Sequence, residues 1–75
     1  MIYNRIALLR TEHGISRQDL ADMVGVNYQT IGFIERGDYS PSLELAFKIA
    51  AYFNVEFTEV FSDHQFPSLF TPKER

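Results

Sequence analysis

Residues that end helices are followed almost at once in this chain by residues that begin them. Only Ile15 separates Gly14 from Ser16, and only Val26 separates Gly25 from Asn27. Glycine accepts the left-handed conformation in which helices commonly end, and serine or asparagine side chains accept hydrogen bonds from the first amides of the next helix. Gly37 leads into a turn-rich stretch where Pro41 suits a first helical turn and Ser40 or Ser42 offers another cap. The segments between these signals are about a dozen residues or fewer, too short to hold a helix alone in water. They must pack on one another. Seventy-five residues leave room for one such domain, in which about 60% of the unfolded surface is buried.

The apolar spacing agrees with this punctuation. Residues 3–13 carry Ile6, Ala7 and Leu9 ahead of Gly14 and predict a first helix. Ser16, with Asp19 three residues on, predicts the capped start of a second helix that presents Leu20, Ala21 and Val24. A third helix runs from the Asn27 cap to about Arg36, and a fourth covers roughly 43–53 before Asn54 stops it. A short fifth helix over about 57–62 presents Phe57, Val60 and Phe61. No segment sustains strand alternation, and there is no repeat or low-complexity tract. The expected fold class is therefore all-α, a compact five-helix domain over 1–62 followed by a short irregular tail over 63–75.

Composition narrows the chemistry. With 45% apolar and 23% charged residues the balance is that of a globular chain. Zero cysteines exclude a disulfide, a thiolate zinc site and a nucleophilic thiol. His13 and His64 lie fifty-one residues apart, so no metal is expected. Ser16, Ser40, Ser42 and Ser62 lack a histidine with an orienting acid, apart from His64 beside Asp63 in a predicted loop. There is no glycine-rich phosphate loop. An enzyme, a cofactor and a small-molecule ligand are all unexpected. The longest apolar run is five residues, Ile49–Phe53, against about 20 needed to cross a bilayer, and the start lacks a signal-peptide pattern. A cytoplasmic chain without membrane contact is the expectation. The net charge of −3 and pI near 5.2 argue against nucleic acid as a partner.

The third helix carries the most legible face. With Ile31 set at zero and about 100° per residue, Ile34 and Glu35 fall within about 60° of it, on the inward side. Gln29, Gly32, Phe33 and Arg36 fall at roughly 100–200°, outward, with Tyr28 on the border. An inward carboxylate needs a partner, and Arg10 on the first helix is the best candidate; two separately solvated charges are the other reading. An outward Phe33 beside an outward Gln29 is either a stray aromatic or a binding face. For a DNA reader the chemistry fits, since glutamine pairs with an adenine edge and an apolar group touches a thymine methyl. Gly32 would then allow close backbone approach.

The order of these residues resembles the helix-turn-helix of Cro/CI-type (Xre family) transcriptional regulators. The resemblance rests on Ile15–Ala21, Val24–Ile31, Ile34–Gly37 and the continuation Ser40–Ala46, Lys48–Ala50 and Phe53–Val55. It covers about residues 4–61, with glycines, caps, apolar positions and Arg10/Glu35 in register. It is nearest to the small stand-alone bacterial members without a sensor domain. The resemblance implies sequence-specific binding of double-stranded DNA as a regulator, a repressor by preference, with the third helix (about 28–36) in the major groove. Gln29, Phe33, Tyr28, Gly32 and Arg17 would read bases. Ser16, Gln18, Asn27, Thr30, Arg36, Tyr39 and Ser40 would meet the DNA backbone, while Arg10 and Glu35 would form a structural ion pair.

Three departures qualify this picture. Arg17 stands where the family often has glutamine, offering a forked contact to phosphate or guanine. Tyr28 stands where arginine is frequent among the small relatives, and Gly32 where serine is frequent. Residues 1–62 hold five Lys/Arg against eight Asp/Glu, so a shallow salt dependence is expected, with about two to four phosphates neutralised per subunit. Asp19, Asp22, Glu44, Glu56 and Glu59 would have to face away from the groove. The apolar residues Phe57, Phe61, Phe66, Leu69 and Phe70 either cap the monomer core or form a two-fold dimer surface. The dimer is favoured, with recognition helices about 34 Å apart on a roughly palindromic site. The competing function is an antitoxin-like or adaptor module that binds protein through Tyr28, Phe33 and Tyr39, with weak DNA binding.

Overall fold

The computed structural model describes residues 2–66, as five helices closed by one short strand pair. The elements in chain order are β1 (Tyr3–Asn4), α1 (Ile6–His13), α2 (Arg17–Val24), α3 (Tyr28–Arg36), α4 (Leu43–Phe53), α5 (Phe57–Val60) and β2 (Phe61–Ser62). The starts of α2, α3 and α4 have a local cause. Ser16 Oγ accepts from the Asp19 amide while the Asp19 carboxylate accepts from the Ser16 amide, a complete capping box. Asn27 Oδ1 accepts from both the amide and the hydroxyl of Thr30, and Ser42 Oγ accepts from the Leu45 amide. Asn27→Ala is expected to lower stability by about 1 kcal/mol in a thermal melt, because the first α3 amides lose their acceptor.

The turn between α2 and α3 depends on Gly25. Its φ of 84° lies in the left-handed region, and the amides of Gly25 and Val26 both donate to the Ala21 carbonyl. Three residues, Gly25 to Asn27, thus turn the chain sharply enough to lay α3 across α2. Among the described residues thirteen apolar side chains form one core, drawn from every helix and from β2. Ile6, Leu20, Ile31, Ile49 and Val60 are wholly buried. On α4, Leu45, Ala46, Ile49, Ala50 and Phe53 face this core, whereas Leu43 and Phe47 stand out from it, 67% and 54% exposed. Glu44 and Lys48 sit one turn apart at 3.7 Å on the polar side of α4.

Two ends differ from expectation. The first helix begins at Ile6, not at residue 3, because Tyr3 and Asn4 pair antiparallel with Ser62 and Phe61. The fifth helix ends at Val60, not at residue 62, for the same reason. Phe61 takes φ −124° and ψ 146°, and the Arg5 amide donates to the Val60 carbonyl at 2.9 Å. Strands of two residues show no alternation, so sequence pattern carries no trace of them. Asn4 completes the clasp: its side-chain oxygen accepts from the Ile6 amide, and its Nδ2 donates to the Ile34 carbonyl near the end of α3.

This pairing corrects one interface residue. Phe61, expected at a dimer surface, is 4% exposed and belongs to the core, since the extended backbone turns its ring inward. Phe57 is half-buried, stacked between Phe47 and Phe61 with ring centroids 5.1 and 5.4 Å away. Phe66 is half-buried under the Arg5 guanidinium, 4.0 Å from its ring centroid. Leu69 and Phe70 lie outside the described residues.

Candidate nucleic-acid interface

Helix α3 is anchored by Ile31 and Ile34 in the core and presents its opposite side to solvent. Tyr28, Gln29 and Phe33 are exposed on that side, Tyr28 by 51% and Phe33 by 46%. Two aromatic rings half open to water beside an exposed amide make a surface able to exchange water for another apolar and hydrogen-bonding edge. Tyr39 and Ser40 follow in the exposed loop after α3. A cleft of about 420 Å³, lined by Arg10, Ser16, Arg17, Gln18 and Tyr28, lies where α2 and α3 begin. The structure therefore brings Ser16, Arg17, Gln18 and Tyr28 together, although they come from two helices.

Gly32 departs from the expected picture. It is buried, not outward, because the Arg36 side chain from one turn later folds over it. A Cβ at this position would stand 3.3 Å from Arg36 Nη1. The tip of the Arg36 side chain thus covers the Gly32 backbone. The same guanidinium lies 5.2 Å from the Phe33 ring centroid, and its Nε donates to Asp38 at 3.3 Å. Gly32, Phe33, Arg36 and Asp38 form one local arrangement, of which only the outward placing of Phe33 and Arg36 was visible from helical spacing.

The carboxylate of Glu35 is 4% exposed at the side chain and receives two arginines. Arg10 Nε donates to Oε2 at 2.6 Å, and its Nη2 donates to Oε1 at 3.3 Å. Arg17 Nε donates to Oε1 at 2.9 Å. The Arg10–Glu35 pair joins α1 to α3, and Arg17 adds α2 to the same carboxylate. Helical spacing pairs Glu35 with Arg10 alone, and the resemblance assigns Arg17 to phosphate or guanine; neither anticipates that Arg17 shares the Glu35 carboxylate. The inward Glu35 signals that the carboxylate needs a partner, but that Arg17 also reaches it depends on how α2 crosses α3, which spacing does not show.

Other polar groups are held within their own helices. Gln18 Nε2 donates to Asp22 at 2.8 Å, and Asp19 is bound to the Ser16 amide at the first turn of α2. Asp19 therefore sits at the same helix end as Ser16 and Arg17. His64 Nδ1 lies 2.8 Å from Asp63 Oδ1 in an exposed turn, and the hydrogen bond and charge of His64 hold the Asp63 carboxyl below its ordinary range. Ser62 Oγ accepts from the His64 backbone amide, not from its ring, so this trio is turn structure. Among the described residues no group of three or more metal-ligating side chains converges, and no helix is long and apolar enough to cross a membrane.

Comparison with known proteins agrees with this geometry. The sequence profile of the helix-turn-helix family matches residues 6–60. An uncharacterized HTH-type transcriptional regulator of Methanocaldococcus jannaschii is 47% identical over 58 residues, 77% of this chain and 88% of that protein. The cryptic phage CTXphi transcriptional repressor RstR of Vibrio cholerae is 32% identical over 65 residues, covering 87% of this chain and 59% of the repressor. Among solved structures, the restriction-modification controller protein C.AhdI of Aeromonas hydrophila superposes with a TM-score of 0.69 at 34% identity, over 73% of this chain and 83% of C.AhdI. A profile match spanning the core elements, with relatives of this kind over most of their own length, shows that the chain belongs to the helix-turn-helix family of Cro/CI-type (Xre) transcriptional regulators.

Proposed function

We propose that this protein is a sequence-specific DNA-binding transcriptional regulator that reads double-stranded DNA with α3 in the major groove, and that it represses. The observation that carries the reading is the exposed face of Tyr28, Gln29 and Phe33 on a helix whose other side is locked into the core. Gln29 would pair with an adenine edge and Phe33 would cover a thymine methyl. Arg36, Asn27, Thr30, Ser16, Gln18, Tyr39 and Ser40 would meet phosphates through side chains and helix-start amides. Repression is the choice because related proteins include phage repressors. The role is one of binding, with no catalytic step, and it belongs in the cytoplasm with the DNA.

We take residues 1–62 as the binding unit and 63–75 as a tail, and the working form as a homodimer. Exposed Leu43 and Phe47 support the dimer, together with a groove of about 800 Å³ between α4, α5 and residues 61–66. A two-fold pair would set two copies of α3 about one DNA turn apart.

Fluorescence anisotropy against random duplex over a salt series, followed by selection of preferred sites, tests the proposal. Binding at low salt is expected, with log affinity falling by about two to four units per subunit for each tenfold rise in salt. Selected sites should carry inverted half-sites one turn apart. Folded protein that binds no duplex at low salt would overturn the reading and leave a protein partner for the same aromatic face. Gln29→Ala is expected to cost about 1–3 kcal/mol at a single base position and relax preference there; an equal loss on all sequences would place Gln29 on the backbone instead.

A further inference from the structure

The two arginines on Glu35 are engaged in different ways. Arg10 also donates from Nη1 to the Ile15 carbonyl at 3.2 Å, so all three of its nitrogens have acceptors and its side chain is 16% exposed. Arg17 is 43% exposed and is held through Nε alone; among the described residues its two terminal amino groups have no acceptor. It lines the cleft where α2 and α3 begin, beside Ser16, Gln18 and Tyr28. A guanidinium is planar, so fixing Nε fixes the direction of the remaining fork.

We propose that Glu35 is a positioning residue for DNA contact: it grips Arg17 by Nε and so presents the two terminal amino groups, already aimed, to one backbone phosphate at this cleft. The inference rests on the DNA-binding reading above. Phosphate oxygens accept two parallel N–H bonds from such a fork. The first turn of α2 belongs to the helix that crosses the DNA backbone in helix-turn-helix docking, which favours phosphate over a base edge. Two arginines on one carboxylate leave a single positive charge, carried by the more exposed partner. Rotamer freedom that a free arginine would lose on binding is already lost here. One aimed fork compensates in part for the scarcity of cations in this acidic chain.

Arg17→Lys separates an aimed fork from a mobile charge, because lysine keeps the charge and has no Nε for Glu35 to grip. R17K and R17Q are each expected to bind the selected duplex about tenfold or more weaker than wild type, uniformly across single-base variants of the site. Wild-type affinity in R17K would refute positioning, and a loss confined to one base pair would refute the phosphate contact. Glu35→Gln, measured well below its melting temperature, should weaken wild-type binding severalfold and leave R17Q no weaker. Equal losses in the two backgrounds would refute the coupling, and should E35Q not fold, the lysine comparison decides alone. Wild-type protein that binds no duplex in these titrations would overturn the DNA reading itself, an outcome separate from the others.

Discussion

Glu35→Ala should destabilise the domain by about 3–5 kcal/mol, the usual cost of removing one partner from a buried ion pair. The magnitude comes from Arg10, whose side chain is 16% exposed and would be left without its counter-charge between α1 and α3. Arg17 adds little to this figure, because at 43% exposure water screens and replaces its contact. A domain of this length has roughly 4–11 kcal/mol of total stability, so the substitution removes about half of it. The melting temperature should fall by about 15–30 °C. Arg17→Ala should change stability by less than about 1 kcal/mol, which separates the structural half of the cluster from the half proposed to meet DNA. A Glu35→Ala melt within a few degrees of wild type would show that Arg10 finds water as readily as it finds Glu35.

Ile31→Ala is expected to cost about 2–5 kcal/mol. The side chain has no exposure and packs in the cluster that includes Leu20, Ile34 and Ile49. Truncation leaves a cavity that short helices, each held by a few residues, close only in part. Ile31 also stands between Gln29 and Phe33 on a nine-residue helix, so the same cavity loosens the exposed face proposed to read DNA. Urea unfolding should show a lower midpoint with unchanged slope. DNA affinity should fall on every sequence alike, unlike the base-specific loss expected of Gln29→Ala. A change below about 1 kcal/mol would mean that α3 is held mainly by its caps and by Glu35.

Local signals made most of the helical fold legible. Gly14, Gly25 and Gly37 end helices where their left-handed φ values place them, and Ser16, Asn27 and Ser42 begin the next ones. These are interactions between residues a few positions apart, which is why spacing alone exposes them. The strand pair was not legible, because Asn4 and Phe61 acquire their conformation from each other across almost the whole chain. For the same reason spacing leaves Phe61 open between monomer core and dimer surface, whereas it lies in the core. At the site, helical angles put Gln29 and Phe33 outward correctly, but they treat every side chain as if it pointed straight from its Cα. Arg36 and Arg17 have long side chains that bend. One folds back over Gly32 and the other reaches Glu35, and no periodicity contains that information.

The net charge of −3 also takes a different meaning once the partners are known. Arg10, Arg17, Arg36 and Lys48 each have a carboxylate within 4 Å. Affinity for a polyanion would then depend on where a few donors are aimed more than on how many charges the chain carries.

The clasp between Tyr3–Asn4 and Phe61–Ser62 bears on the order of events on the ribosome. Asn4 is synthesised before any of the five helices, yet its strand partner leaves the exit tunnel only after all five have been made. Until then Ile6 lacks Val60 and Phe61 as neighbours in the core, and the start of α1 is open. The helices can associate during synthesis, but closure is a late, long-range step that must wait for the far end of the domain. A nascent chain stalled before Phe61 should therefore be cleaved readily by protease, and one stalled with Ser62 well clear of the tunnel should resist.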